Sequence, residues 1–514
     1  MKLTDWLKSL FKTTALIGLS KIAGFLRDLI TAFFFGTSRS ADAFNYAGLF
    51  TAQPFILFGG LNGPFHSATV STLSSEKELK DNRFTQEQNI LISQILFYSF
   101  LIFAGLGVLV FLFCEIILKL IFKDSALVQE IVIQTKLMIP CLISSGIIGS
   151  LFGVSCYKKN YTSSSISPLI SSIALIIMIL CFHKSLGANV LGIATSLGVI
   201  LQILLQYFEL KKYNFIFKFK ESIDYKALKL FFYILFPALL SSTIGSFNIY
   251  VDMFFCKDLK EGSWTALILA NRLIQLPFGT LVGASLVSFL PRMSEAENKK
   301  DEKTFKLILN TELENLTFIL VPATALLMAL SQPFIEILLQ RGRFDVNSTE
   351  ITASIFFFLG LSIITSFPRE IATRAFYALK NSKTPFIISL LSIGFNFLFN
   401  YIFVKFMDAD GIAISKTLTS FLNSLILIFL LRKFLNVNYI KIIKIFILGI
   451  VIYFCAKYLY LFIDSINSLN FLINIFDFIN LKTLFNFGIS GGISLLIYLG
   501  LSYIFIKSST ISTT

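Results

Sequence analysis

Charge is scarce in this chain: Asp, Glu, Lys and Arg make up 14% of its 514 residues, where soluble domains carry about 25%. Too little polar surface remains to keep a folded chain dissolved, and a mean hydropathy of +0.78 agrees. Histidine is nearly missing. His66 and His183 are the two, too few and too separated for a catalytic pair or a metal centre, so neither a metal nor a cofactor is expected. Cysteine is limited to Cys114, Cys141, Cys156, Cys181, Cys256 and Cys455. These lie scattered through or beside apolar runs with no C-x-x-C pair, which excludes a zinc site or a disulfide framework. Also absent is the alternating apolar and polar period of a membrane barrel strand.

What the chain does have is apolar runs of about 20 residues, each long enough to cross about 30 Å of hydrocarbon. Length alone suggests about three soluble domains, but the runs override that prior. Helices satisfy their own backbone hydrogen bonds in lipid, so the expected fold is an all-α polytopic membrane protein. Fourteen spans are predicted: 13–36, 42–72, 89–118, 130–156, 163–182, 187–209, 230–256, 264–291, 307–331, 347–379, 384–404, 411–431, 445–463 and 484–506. Residues 1–12 are short and basic and precede an apolar stretch without a clear small-residue cleavage site, which reads as a retained first helix rather than a signal peptide.

The net charge of +14 is a topological signal rather than a nucleic-acid footprint, because the cations sit in short loops between apolar runs. Nucleic acid is therefore not expected as a partner. Loops on the side that includes the N-terminus carry 26 Lys and Arg, against 10 on the other. That excess places both termini in the cytoplasm of a bacterial-type inner membrane and favours an even number of spans.

The two halves also resemble each other at an offset of about 221 residues. Ser20, Gly24 and Phe33 match Ser241, Gly245 and Phe254; Ala47, Pro54, Phe55 and Gly60 match Ala270, Pro277, Phe278 and Gly283. Tyr157 matches Tyr377, and Gly192-Ile193-Ala194 match Gly411-Ile412-Ala413. Any one pair is weak, but their colinear order over six spans is not. Six spans between equivalent positions give both copies the same orientation, hence parallel repeats about an axis along the membrane normal, as in several transporters. The predicted organisation is an N-terminal lobe over 1–212, a C-terminal lobe over 213–433 and two extra helices over 434–514. Two lobes that rock about a central site suit alternating access.

Eight basic residues lie inside the spans: Lys21, Arg27, Lys136, Arg272, Arg369, Arg374, Lys416 and Lys457. Each costs about 2.5–3.5 kcal/mol at a helix centre on insertion scales, so each needs a reason. Snorkelling suits Lys136 and Lys457. Arg369, Glu370 and Arg374 read as a paired cluster, since Glu370 and Arg374 are four apart on one helix face. In span 1, Lys21, Gly24 and Asp28 recur at i, i+3 and i+7 with Arg27 beside them, a polar stripe that must face protein or water. Asn271-Arg272 follow a long apolar approach in span 8. Convergence of Lys21, Arg27 and Arg272 between lobes would make a cationic cavity for a large anion, with Arg bidentate to phosphate oxygens. Asp252, Asn396, Asn400 and Lys416 form a second constellation, whose carboxylate and amide oxygens suit a hard cation. The expectation is that the Lys416 ammonium takes that role, so that no sodium is needed.

Four ordered motifs carry a family resemblance. They are Ser20-Lys21-Ile22-Ala23-Gly24-Phe25-Leu26-Arg27-Asp28, Phe35-Gly36 with Ala41-Asp42-Ala43-Phe44, Ala270-Asn271-Arg272-Leu273 with Pro277 and Gly279, and Phe376-Tyr377-Ala378-Leu379-Lys380-Asn381-Ser382-Lys383-Thr384-Pro385. In these the chain resembles the MurJ-type (MviN) lipid II flippases of the multidrug/oligosaccharidyl-lipid/polysaccharide (MATE-like) exporter superfamily. The resemblance implies movement of the undecaprenyl-pyrophosphate-linked peptidoglycan precursor from the cytoplasmic to the outer leaflet by a monomer, with no enzymatic step. It implies that Lys21, Arg27 and Arg272 contact pyrophosphate. Gly24, Asp28, Asp42, Asn62 and Asn271 take supporting or gating places, Asp42 at the periplasmic end. Spans 13 and 14 would line a groove for the lipid tail. The chain departs from the pattern in carrying Lys21 where the family has Arg, Leu57-Phe58 where it has an Arg pair, and Asn62 where it has an acid.

Rival readings are an antiporter of small cationic drugs, a flippase for another polyprenyl-pyrophosphate-linked glycan, a membrane-embedded transferase and a lipid-bound scaffold. The antiporter calls for acids and aromatics in the cavity, and the transferase for a His or paired carboxylates at a membrane face.

Overall fold

A computed structural model describes the chain except residues 1–2, 61–62, 75–82, 219–224, 437, 466–480 and 512–514. Among the described residues there are helices and no strands. The chain divides into two compact units, Met1–Tyr250 and Val251–Thr514.

Unit 1 contains α1 (Leu3–Phe35), α2 (Arg39–Phe50), α3 (Ala52–Gly59), α4 (Pro64–Ser74), α5 (Gln86–Ile121), α6 (Ser125–Tyr157), α7 (Tyr161–Leu186), α8 (Asn189–Lys211) and most of α9 (Tyr225–Cys256). The central helix is α6: 72% of its apolar window is buried, against 22% for α5. Leu106, Leu112 and Ile116 of α5 stay exposed, as expected of a face toward acyl chains. The span expected as one helix over 42–72 is three. It breaks at Thr51 (φ −125°, ψ −55°) and again after Gly59, where Gly60 is extended. All three pieces lie along α6. A Cβ on Gly59 would sit 2.6 Å from both Ile148 Cγ2 and Ser145 O of α6, so only glycine lets the broken span approach so closely. Polar backbone at such a break is tolerated in a membrane when protein covers it. Phe65, Ile92, Ile95, Phe103 and Leu151 form the core of this unit, and Phe231 and Leu235 of α9 join it. The compact unit therefore reaches beyond residue 212, the boundary that the repeat spacing predicts.

Unit 2 contains the rest of α9, then α10 (Ser263–Asn298), α11 (Glu302–Ala329), α12 (Ser331–Leu339), α13 (Val346–Ala378), α14 (Lys383–Leu430), a 3-10 turn (Arg432–Phe434), α15 (Tyr439–Ser465) and α16 (Leu481–Ile511). Spans 11 and 12 are continuous as α14 except for a kink at Asp408, a non-glycine residue at φ 48°, ψ −128°. After the kink Ser354 Oγ donates to Asp410 Oδ2 at 2.5 Å, which holds the corner to α13. The short α12 lies where the span spacing predicts a loop. The C-terminal pair is fastened to α11: Tyr498 OH donates to Phe318 O at 2.8 Å, and Ile452 and Tyr498 are buried in one cluster with Ala325.

Eleven described helices are long and apolar enough to cross a membrane. Taking α14 as two at its kink, and adding α1 and the broken path α2–α4, accounts for fourteen. The protein is a polytopic all-α membrane protein.

Loop carboxylates start several spans. The Asp345 carboxylate accepts from Ser348 N at 2.8 Å and Ser348 Oγ at 2.7 Å, capping α13, and these bonds hold its pKa below the ordinary value. Asp345→Ala is expected to lower unfolding stability in detergent by about 1 kcal/mol. Because the folded pKa is depressed, the wild-type advantage is present above the unfolded carboxylate pKa of about 3.9 and fades as pH falls through the lower folded value. Thermal unfolding at pH 7 and at pH 3 checks both parts.

Candidate functional site

The polar stripe of α1 divides into a packed part and an open part. Ser20 Oγ donates to Ser165 O of α7 at 2.8 Å, and a Cβ on Gly24 would lie 4.0 Å from Ser172 Oγ. Arg27 turns onto its neighbour, with Nε and Nη2 donating to Asp28 Oδ1 at 3.1 and 2.9 Å. A guanidinium has five N–H donors, so Asp28 orients Arg27 while leaving three for other acceptors. The Arg27 side chain is 31% exposed and that of Asp28 14%. Lys21 is exposed and has no hydrogen bond or ion pair among the described residues.

Asp42 is buried in the first turn of α2, where the positive end of the helix dipole favours a carboxylate. Nearby, Ser40 Oγ donates to Glu130 Oε2 of α6 at 2.7 Å. Asn62 lies outside the described residues.

In unit 2, four residues read together from the sequence meet around one carboxylate. Asp252 is 0% exposed. Its Oδ1 accepts from Asn396 Nδ2 at 2.9 Å and Asn400 Nδ2 at 3.1 Å, and its Oδ2 lies 3.1 Å from Lys416 Nζ. Asn396 and Asn400 are four apart on α14, one turn, so both amides reach the same oxygen. Lys416 comes from beyond the kink at Asp408, which returns the chain toward α9. Its ammonium also donates to Asn271 Oδ1 at 3.4 Å, and Asn271 Nδ2 is held by Leu267 O at 2.9 Å. Sequence spacing links Asn271 with Arg272; the fold turns Asn271 toward Lys416. Arg272 is exposed. The arrangement can hold a buried negative charge with a covalently attached cation.

One pairing differs from expectation. Glu370 Oε1 accepts from Arg369 Nη2 at 2.8 Å, its chain neighbour, rather than from Arg374 one turn on. Adjacent side chains on the half-exposed face of α13 bend together, whereas Arg374 is partly buried with Nε lacking a partner among the described residues. Lys136 lies 5.1 Å from the Phe111 ring and Lys457 5.8 Å from the Tyr453 ring, a cation–π alternative to reaching for water.

Two further features lie outside the motifs that the sequence singles out. In unit 1 Gln206 Oε1 accepts from Ser155 Oγ at 2.9 Å and Ser163 Oγ at 3.4 Å, and Gln202 Oε1 from Ser167 Oγ at 3.2 Å. The i, i+4 spacing of the two glutamines is the signal that could have found them. In unit 2 an apolar cavity of about 740 Å³ opens among α11, α13, α14 and α15, lined by Val321, Phe357, Leu361, Phe421, Phe446 and Tyr453. Span 13 lines it as α15, and no described residue of α16 does.

Known proteins share this architecture. A family model described as lipid II flippase MurJ matches residues 31–508. A probable lipid II flippase MurJ of Synechocystis is 28% identical over 429 residues, covering 81% of this chain and 79% of that protein. The lipid II flippase MurJ of Burkholderia cenocepacia is 24% identical, covering 81% of each. A solved structure of a lipid II flippase MurJ in an inward closed conformation superposes with a TM-score of 0.78 at 24% identity, over 97% of this chain and 99% of that one. An inward-facing multidrug resistance MATE transporter gives 0.65 at 11% identity, over 85% and 98%. These two structures establish the shared fold.

Removing one partner of a buried ion pair strands the other charge, at a cost of about 3–5 kcal/mol. Lys416→Met is therefore expected to destabilise the protein by about that much, and Asp252→Asn in the same chain to restore most of the loss. A double-mutant cycle of thermal unfolding in detergent measures the coupling; additive losses would show that the pair is not an energetic unit.

Proposed function

The chain belongs to the MurJ family of lipid II flippases, and from that premise we propose that it carries lipid II across a bacterial inner membrane, from the cytoplasmic to the periplasmic leaflet, by alternating access. The observation that carries the reading is the family match over nearly the whole chain, residues 31–508. Moving a lipid between leaflets makes and breaks no covalent bond, so the reading requires no nucleophile, general base or cofactor. A monomer of two six-span lobes and a C-terminal pair suffices, with both termini cytoplasmic on the strength of the 26 to 10 loop-charge excess.

Within this reading Lys21 and Arg27 on α1 and Arg272 on α10 are the cations that receive the pyrophosphate. Support comes from the exposure of Lys21 and Arg272 and from Arg27, oriented by Asp28 yet one-third exposed. Gly24 and Asp28 support that stripe, Asn271 supports the span of Arg272, and Asp42 and Asn62 belong to the gates. The apolar cavity beside α15 has the chemistry to take a polyprenyl chain, at about 0.8 kcal/mol per buried methylene. A cationic headgroup site is unsuited to small cationic drugs.

Arg27→Ala and Arg272→Ala are each expected to cut lipid II flipping by about tenfold or more, the worth of charged hydrogen bonds to phosphate. Vesicles holding the protein, scored for lipid II exposed to an impermeant reagent, measure it; retained flipping by both variants removes the phosphate site. Depletion in cells without a second flippase should trap lipid II in the inner leaflet, and normal outward exposure would sink the assignment.

The Lys416 ammonium lies on Asp252 Oδ2, where a hard cation would neutralise the carboxylate, while Asn396 and Asn400 turn amide donors rather than oxygens to Asp252; on this reading transport is independent of sodium. Flipping by wild type should be unchanged when sodium is replaced by choline. Lys416→Thr should acquire sodium dependence, and its failure to do so counts against the substitution of ammonium for metal.

A further inference from the structure

Between α8 and α9 the described chain turns over residues 212–214 and then runs without helix over residues 215–218 along α5. Asn214, at φ 57°, turns it. Phe84 N–H donates to Tyr213 O at 3.0 Å, Ile216 N–H to Asn89 Oδ1 at 3.2 Å and Lys218 N–H to Ser93 Oγ at 3.0 Å. Asn89 and Ser93 are buried residues of α5. Ser93 stands seven residues from the start of α5 at Gln86, about 10 Å along a helix at 1.5 Å per residue. The strap thus descends from the helix ends toward the hydrocarbon, with alternate N–H groups satisfied by side chains placed for them.

Its side chains divide sharply. Phe215 is buried in the unit 1 core, whereas Ile216 is 56%, Phe217 46% and the neighbouring Phe208 58% exposed. Lys211 Nζ lies 5.2 and 5.5 Å from the Tyr207 and Phe208 rings. Glu209, the one carboxylate between residues 207 and 218, is engaged by Lys212 at 2.6 Å and by Asn160 Nδ2 at 3.3 Å. Lys211 and Lys218 have no carboxylate partner among the described residues. Exposed apolar groups interleaved with ammonium groups that no described carboxylate meets, at a helix end, match an acidic surface with an oily interior. A soluble anion has no use for Ile216 and Phe217, and a zwitterionic lipid little for Lys211 and Lys218, which no described carboxylate meets.

We infer that this strap is a docking site for an anionic phospholipid of the adjacent leaflet: Lys211 and Lys218 take the headgroup phosphate while Ile216, Phe217 and Phe208 enter the acyl boundary. The inference rests on the membrane reading of the chain and not on the transported substrate.

The test uses the full chain in detergent, without lipid II, titrated separately with phosphatidylglycerol and phosphatidylcholine, with bound lipid counted by native mass spectrometry. Phosphatidylglycerol should bind at least fivefold more tightly. Lys211→Gln and Lys218→Gln should each weaken it by about fivefold, the surface attraction of one lysine. Phe217→Ser should weaken both lipids alike, and Lys299→Gln in unit 2 should change nothing. Equal affinity for the two lipids, an undiminished affinity in the double lysine variant, an equal loss from Lys299→Gln, or full displacement by inorganic phosphate would each overturn the site. A protein that docks phosphatidylglycerol but fails to flip lipid II would reject only the transport reading.

Discussion

An unsatisfied polar group in hydrocarbon costs several kcal/mol, and this penalty organises nearly everything in the chain. At three places among the described residues where regular helix is abandoned, protein takes over the hydrogen bonding or covers the backbone. The broken second span lies along α6, with Gly59 in near contact with Ser145 O. The corner at Asp408 is held by Ser354 on Asp410. The non-helical strap after α8 gives the Ile216 and Lys218 N–H groups to Asn89 and Ser93.

The same penalty sorts the charges. Asp252 is buried completely and is compensated by two amides and an ammonium. Arg27 and Arg369 are less buried and are met by single acidic neighbours in the chain. Lys136 and Lys457 use aromatic rings. Lys21 and Arg272 are exposed, and the transport reading assigns both to an anionic headgroup. Polar satisfaction also explains the serine and glutamine seam of unit 1: each Gln oxygen accepts hydroxyls that would otherwise be stranded between helices.

Hydropathy, loop charge and repeat spacing make the membrane, the number of spans and the identity of the costly charges legible in the amino-acid sequence. Those signals depend on transfer energies that each segment carries by itself. The Asp252 constellation is legible for a related reason: a carboxylate, two amides one helical turn apart and a lysine in apolar spans have few ways to be satisfied except by one another. What composition and spacing leave open is which partner each polar group takes when several lie within reach. Glu370 pairs with Arg369 over Arg374, and Asn271 faces Lys416, because side-chain direction depends on how neighbouring helices pack. The break of the second span and the extra helix α12 are hidden likewise, since an apolar run has the same composition whether straight, kinked or interrupted.

The sequence by itself thus determined the solvent this protein lives in, its helical class, its family resemblance and the short list of residues whose charge demands a reason. The tertiary structure decided where helices break, which atoms neutralise Asp252, and that the segment after α8 lies as a strap on α5 with Phe215 inward and Ile216 and Phe217 outward. Transfer from water to lipid is a property of a residue, whereas hydrogen-bond geometry is a property of pairs brought together by packing.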